Sequence, residues 1–207
     1  MTIDYKAQEA FVKNNRQQFD ALMSRFEAAD ASLSADEVAQ LYFASPFAGY
    51  KPLIDLTLTA NQLYKIRDYR VAYFMYRDAL VQDPCSMLVL KKAGNCSYFE
   101  VIDRDATKQL RARLAMLQDV VKTTGDGLSP ETAFQVVQTS DAYQYLWDVL
   151  GAKDVAEQKV VKTDGNQVTS EFVVSIRDEK EPRSVFFTVY GETEADREDF
   201  FIRKKGF

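Results

Sequence analysis

The sequence predicts an α+β fold, with an N-terminal helical array over residues 1–124 packed on a small C-terminal antiparallel β-sheet with one or two helices over residues 125–207. Three observations predict it. Apolar residues recur with a helical period from Tyr5 to Lys122. Thr123-Thr-Gly-Asp-Gly127 then interrupts that period with two glycines free to adopt positive φ. Past Gly151 the period changes to two, the signature of half-buried strands.

From Tyr5 to Ala28 the spacing predicts one helix, with Val12, Phe19, Leu22, Met23 and Phe26 on a single face. Ser34 opens a second helix, with Glu37 three residues later completing a capping box; Val38, Leu41 and Tyr42 form its inner face. Ser45–Pro52 reads as a loop punctuated by Pro46 and Pro52. Phe43, Phe47 and Tyr50 are too many aromatics for an idle connector. They are expected to pack against the helical hairpin that follows, with a groove lining as the alternative.

That hairpin is expected at about 53–66 and 69–82, and a second at about 86–101 and 104–122. In the first, Ala72, Tyr76, Ala79 and Pro84 follow one another at steps of four, three and five, and Leu56, Ala60 and Leu63 face them. Small residues let two helices approach, the aromatic fills the gap beside them, and proline stops the helix. In the second, Leu90, Ala93 and Gly94 face Ala106 and Leu110. The last helix places Leu110, Leu114, Leu117 and Val121 inward and Arg104, Lys108 and Arg111 on the opposite face.

Ser129-Pro130-Glu131 has the form of a helix start, possible as a single turn, and residues 133–139 read as a strand. Ser140 is expected to cap a helix with Tyr143, Leu146, Trp147 and Leu150 as its apolar face, Trp147 in the core, and Gly151 as its stop. Strands at 158–162 and 168–176 flank a turn at Thr163-Asp-Gly-Asn166. Ser184–Tyr190 is apolar on both faces, which predicts a central strand covered by helix. Glu192–Asp199 reads as an acidic turn, and Phe200–Lys204 as an edge strand.

Two resemblances follow from these residues. Over Leu56–Lys122 the chain resembles tetratricopeptide repeats, with Leu56 where an aromatic is usual and Ala60 where glycine is usual. The resemblance implies an interaction scaffold rather than a reaction. Such repeats need covering at both ends, by the N-terminal helices and by the chain after residue 123. The chain as a whole resembles a bacterial family of domains of unknown function. The segments that carry this are Leu41-Tyr-Phe near Gly49-Tyr-Lys-Pro52, Asp83-Pro84, and Gly125-Asp-Gly-Leu-Ser-Pro-Glu-Thr-Ala-Phe134 followed by Asp141-Ala-Tyr143. That resemblance brings no catalytic residue with it, and it implies members that are often exported.

Composition narrows the function. The 207 residues hold no histidine, which removes Ser-His and Cys-His nucleophile pairs, histidine bases and most transition-metal sites. Cys85 and Cys96 form no metal or redox spacing; about 16 Å of helix would separate them, so buried thiols are expected. Net charge is −5, unsuited to nucleic acid or an anionic membrane, yet residues 51–122 carry 12 basic and 8 acidic groups. No apolar run reaches the roughly 18 residues of a membrane span. No secretory signal is visible in Met1–Asn15, so the expectation is a cytoplasmic chain, or a periplasmic or exported one if a signal segment has been removed.

The Gly125-Asp-Gly127 segment lacks the Gly-Lys-Ser/Thr ending of a phosphate loop and the ligand offsets of a calcium loop, and reads as a turn. Asp103/Asp105 and the acids from Glu192 to Asp199 could pair for glycoside hydrolysis only across a cleft of roughly 5–10 Å. Lys91 and Lys92 read as a helix-surface pair. The expectation is therefore a non-enzymatic interaction module with no cofactor, metal or catalytic residue. It would bind a protein or peptide, acidic by charge complementarity, through Tyr64, Tyr73, Arg104, Lys108 and Arg111. A small carboxylate-based hydrolase and a structural subunit of a larger assembly are the alternatives.

Overall fold

The computed structural model describes residues 3–50 and 53–190. The chain is α+β, as expected, and its described residues divide into two compact units, Ile3–Val120 and residues 121–190.

The first unit is all helical. In place of one N-terminal helix there are two, α1 (Tyr5–Asn14) and α2 (Arg16–Glu27). Asn15 leaves the helical region at φ −132° and ψ 40°, and the Asn14-Asn15 pair is a poor helix former. The break lets α1 bury Tyr5 and Val12 while α2 buries Phe19, Leu22, Met23 and Phe26. The capping box forms as read: α3 (Ala35–Ala44) starts with Ser34 Oγ accepting from Glu37 N–H, while Glu37 accepts from Ser34 N–H. Arg25 on α2 reaches Asp30 and Glu37, both at 2.8 Å, and ties that start to α2.

After α3, Ser45–Ala48 makes a single 3-10 turn. Two of the aromatics around it pack on the first two helices. The Phe43 ring meets Tyr5 of α1, and the Tyr50 ring meets Phe19 of α2. The turn folds back on α1 and α2, and Arg16 fastens it by donating to the Ala48 carbonyl. Phe43 is core.

Both expected hairpins are present, as α4 (Ile54–Lys65) with α5 (Tyr69–Gln82), and α6 (Met87–Phe99) with α7 (Arg104–Thr124). α5 packs on both α4 and α6, and α4 also touches α6. Ala60, Ala72, Tyr76 and Ala79 are buried where the spacing put them. The Tyr76 hydroxyl, inside the core, donates to Asn61 Oδ1 at 2.7 Å, which avoids the roughly 1–3 kcal/mol of an unpartnered buried polar group. Leu110, Leu114, Leu117 and Val121 are buried along α7. Cys85 and Cys96 are buried and form no disulfide, and burial pushes the Cys96 thiol up to about 12.

Among the described residues the second unit is a four-stranded sheet with one helix of its own. Ser129 caps a single 3-10 turn, Pro130–Thr132, which leads into β1 (Phe134–Val136). Then come α8 (Thr139–Asp148), β2 (Ala152–Asp164), β3 (Gln167–Ile176) and β4 (Arg183–Tyr190), in spatial order β1-β4-β3-β2. β2, β3 and β4 are antiparallel as expected, and β4 is an inner strand. β1 corrects the picture: it lies parallel to β4, with Phe134 opposite Phe187, so the sheet is mixed. A parallel neighbour needs a long connection, which α8, β2 and β3 supply.

β2 begins six residues earlier than its alternation suggested. Register shifts between Ala152/Asp154, Val155/Glu157 and Val160/Lys162 break its period, and pairing with β3 holds it extended. Ser140 is not the cap of α8; the helix starts at Thr139, and Ser140 donates to Gln138 Oε1. Trp147 is 43% exposed rather than core, because α8 turns Ala142, Tyr143, Tyr145 and Leu146 inward and leaves Trp147 on its flank, stacked against Tyr143. Tyr143, Tyr145, Phe134, Phe172 and Phe187 form the unit's aromatic core. The acidic turn and edge strand expected after Glu192 lie outside the described residues.

Candidate functional site

The two helical hairpins end alike. Arg67 and Val101, 34 positions apart, both take positive φ, and each sits in a tight turn closed by backbone bonds to the helix before it. Asp68 N–H reaches the Leu63 carbonyl after α4, and Ile102 N–H reaches the Ser97 carbonyl after α6. The turns bring the last aromatics of α4 and α6 to one edge of the unit.

There Tyr64 and Tyr98 occupy matching positions, each with a cation from a later helix on its face, α6 for Tyr64 and α7 for Tyr98. Lys92 Nζ lies 4.1 Å from the Tyr64 ring centre, and the Arg111 guanidinium 4.8 Å from that of Tyr98. Tyr69 and Phe99 bridge the two. Ring centres step from Tyr64 to Tyr69 at 5.2 Å, to Phe99 at 4.8 Å, and to Tyr98 at 5.8 Å. Asn95 donates to the Tyr64 hydroxyl at 3.2 Å, fixing that end of the ladder. Tyr98 and Phe99 are 59% and 51% exposed.

Neither Lys92 nor Arg111 makes an ion pair among the described residues. Lys92 is half-buried, and desolvation, with Lys65 nearby, lowers its pKa, while Cys96 acts the other way. A desolvated ammonium on a ring gains from a cation–π contact of about 0.5–2 kcal/mol and retains unmet hydrogen-bond donors. Chemically, the ladder offers aromatic faces and two positive charges to a ligand that brings apolar and acidic groups.

The five residues singled out from the sequence separate. Tyr64 and Arg111 belong to the ladder. Arg104 and Lys108 stand exposed on the first turns of α7, and Lys108 meets Asp105 at 3.2 Å. Tyr73 is buried, its ring against Phe74 and beneath Arg77, so it presents no surface at the ladder. Sequence reasoning missed Lys92, Tyr98 and Phe99. Lys92 is half-buried on the Tyr64 ring and not the surface lysine its sequence context suggests. The matching of Tyr64 and Tyr98 at the repeat interval was the available signal.

The other candidates resolve into structural roles. Asp103 Oδ1 accepts from Asp105 and Ala106 N–H and starts α7. Around Gly125-Asp-Gly127, the Asp126 and Gly127 N–H groups both donate to the Thr132 carbonyl, so these donors are spent within the loop. The Thr132 hydroxyl and then the Leu128 N–H hold the Asp126 carboxyl below its ordinary pKa. Among the described residues no cluster of three or more Cys, Asp and Glu side chains could hold a metal, and no helix is long and apolar enough to cross a membrane.

The model of a family described as a domain of unknown function, DUF4919, matches residues 6–172, and the chain belongs to that family. No curated protein and no solved structure matches it.

Proposed function

We propose that this DUF4919 member is a non-enzymatic interaction module whose helical unit binds an acidic protein or peptide partner at the ring ladder. The observation that carries the reading is the repeated pairing of an edge tyrosine with a cation that has no carboxylate. Aromatics and arginine are the usual anchors of protein interfaces, and exposed ones surrounded by apolar groups gain most from being covered. Ile66 and Val101, both strongly exposed, lie at the two hairpin turns beside the ladder and extend the apolar surface.

The tetratricopeptide-like reading of α4–α7 supports the same conclusion. Hairpin turns 34 positions apart, small residues Ala60 and Gly94 at the same interval, and contacts from α4 to both α5 and α6 are what such a repeat requires. Arg104 and Lys108 continue the positive charge along the exposed side of α7 and belong to the rim of the proposed contact.

The test is affinity purification of the tagged full chain from its own cells with lysine crosslinking and mass spectrometry, beside Arg111→Glu and Tyr98→Ala. A partner whose crosslinks concentrate on Lys91, Lys92 and Lys108, and which both substitutions remove, is the expected result. Binding unchanged in both variants refutes the ladder as the contact.

A further inference from the structure

The helical unit contains a second feature that shares no residue with the ladder. A cleft of about 210 Å³ opens among α2, α5 and α7. Leu80 and Leu110 supply apolar wall, and Arg77, Gln109 and Arg113 supply polar wall, with Glu27 at its side. The volume is below the roughly 300–1,000 Å³ of a small-molecule or cofactor pocket and suits one side chain or one chain end.

Arg113 is the unusual member. It is only 8% exposed. Its Nη2 donates to the Pro84 carbonyl at 2.8 Å and its guanidinium stands 5.1 Å from the Phe26 ring centre, yet its Nε has no partner. Burying a charged group costs several kcal/mol unless an opposite charge and hydrogen bonds compensate. One carbonyl and one ring do not replace a carboxylate. Burial accordingly lowers the pKa of Arg113, against the pull of Cys85 and Glu27. Arg77 on the same wall lies over Tyr73, and among the described residues neither arginine pairs with Glu27 or any other acid.

We propose that this cleft receives a carboxylate carried on an apolar group, held by the guanidiniums of Arg113 and Arg77 while Leu80 and Leu110 cover the apolar part. The planar fork of arginine matches a carboxylate in shape as well as charge. The chemistry is shared by the end of a peptide chain and by a small free carboxylic acid.

Four probes test it on the full ¹⁵N-labelled chain by nuclear magnetic resonance: acetyl-Ala-Ala-Leu with a free terminal carboxylate, the same peptide as its terminal amide, N-acetyl-leucine, and inorganic phosphate. Both acids are expected to shift the amide signals of Gln109 and Leu110, and the terminal amide to bind about tenfold more weakly or worse. Tighter binding of the peptide acid than of N-acetyl-leucine assigns the site to chain ends; equal binding assigns it to small acids. Arg77→Gln, at an exposed position outside the core, is expected to weaken both acids about tenfold with an unchanged thermal midpoint. Arg113→Lys keeps the charge but not the fork and is expected to weaken them as well. Equal binding of acid and amide, no shift at the cleft, tighter binding of inorganic phosphate than of either acid, or indifference to both substitutions overturns the proposal.

Discussion

At the scale of single residues, the helical unit uses arginine in three ways, distinguished by what surrounds each guanidinium. Arg25 meets two carboxylates at the start of α3; Arg111 meets a ring; Arg113 is enclosed with one carbonyl and one ring. Only the first is met by carboxylates, and that cluster makes stability depend on pH. The Ser32 hydroxyl and then Arg25 hold the Asp30 carboxyl down at about 2, from an ordinary 3.8, and Glu37 is lowered by the Ser34 N–H and Arg25. A carboxylate whose folded pKa is depressed contributes stability above its unfolded pKa, and that contribution disappears as pH falls through the folded value. The urea midpoint of the native chain should therefore exceed that of Asp30→Asn near neutral pH. The gap should close between about pH 4 and pH 2. A gap independent of pH over that window contradicts the assignment.

At the scale of elements, two glycines that look alike in sequence do different things. Gly94 sits inside α6, where an added Cβ would lie 3.7 Å from Leu110 Cβ, an ordinary contact. Gly127 has φ +68°, and a Cβ there would lie 2.4 Å from the Phe134 ring. A Cβ added at Gly125, two residues earlier, would lie 2.3 Å from the Thr132 carbonyl oxygen. Gly94→Ala should be neutral or stabilising by about 0.5–1 kcal/mol, since alanine loses less backbone freedom in a helix. Gly127→Ala should cost about 1–3 kcal/mol through a strained φ and a displaced ring. Urea unfolding followed by circular dichroism separates the two; equal effects would mean that the Gly127 turn is not constrained as described. The hairpins themselves were legible because their signals are local: small residues four or three apart, a proline after α5, serine before α6. The extent of β2 was not, because its three register shifts break the alternation a reader relies on and only pairing with β3 reveals it.

At the scale of the whole molecule, charge is divided along the chain. Residues 51–122 hold an excess of four basic groups inside a protein of net charge −5. If the ladder binds an acidic partner, part of the affinity is electrostatic and exposed to screening. The Debye length shrinks from about 10 Å at 0.1 M salt to about 3 Å at 1 M. Binding of the partner should weaken as salt rises, chiefly through a slower association rate. Arg111→Glu should flatten that dependence as well as lower the affinity. Affinity that is unchanged by salt would make the contact apolar, as expected of a structural subunit in a larger assembly. Of the candidate site, Tyr64 and Arg111 could be picked from sequence as an edge aromatic and an exposed arginine. Lys92 could not, because a lysine beside a lysine on a helix gives no sign that one of them is half-buried on a ring from another helix.

The amino-acid sequence by itself determined the class of the fold, the positions of the two helical hairpins, the capping box at Ser34 and the turn at Gly165-Asn166. These depend on periodicity, backbone hydrogen bonding and turn chemistry within a few residues of one another, and such terms can be read in order along the chain. Tertiary structure alone decided that β1 runs parallel to β4, that Trp147 stays on a flank, that Tyr73 is buried, and which cation rests on which ring. Each of these is settled by groups distant in sequence competing for the same volume, where burial and close packing outweigh the local preferences of any one segment.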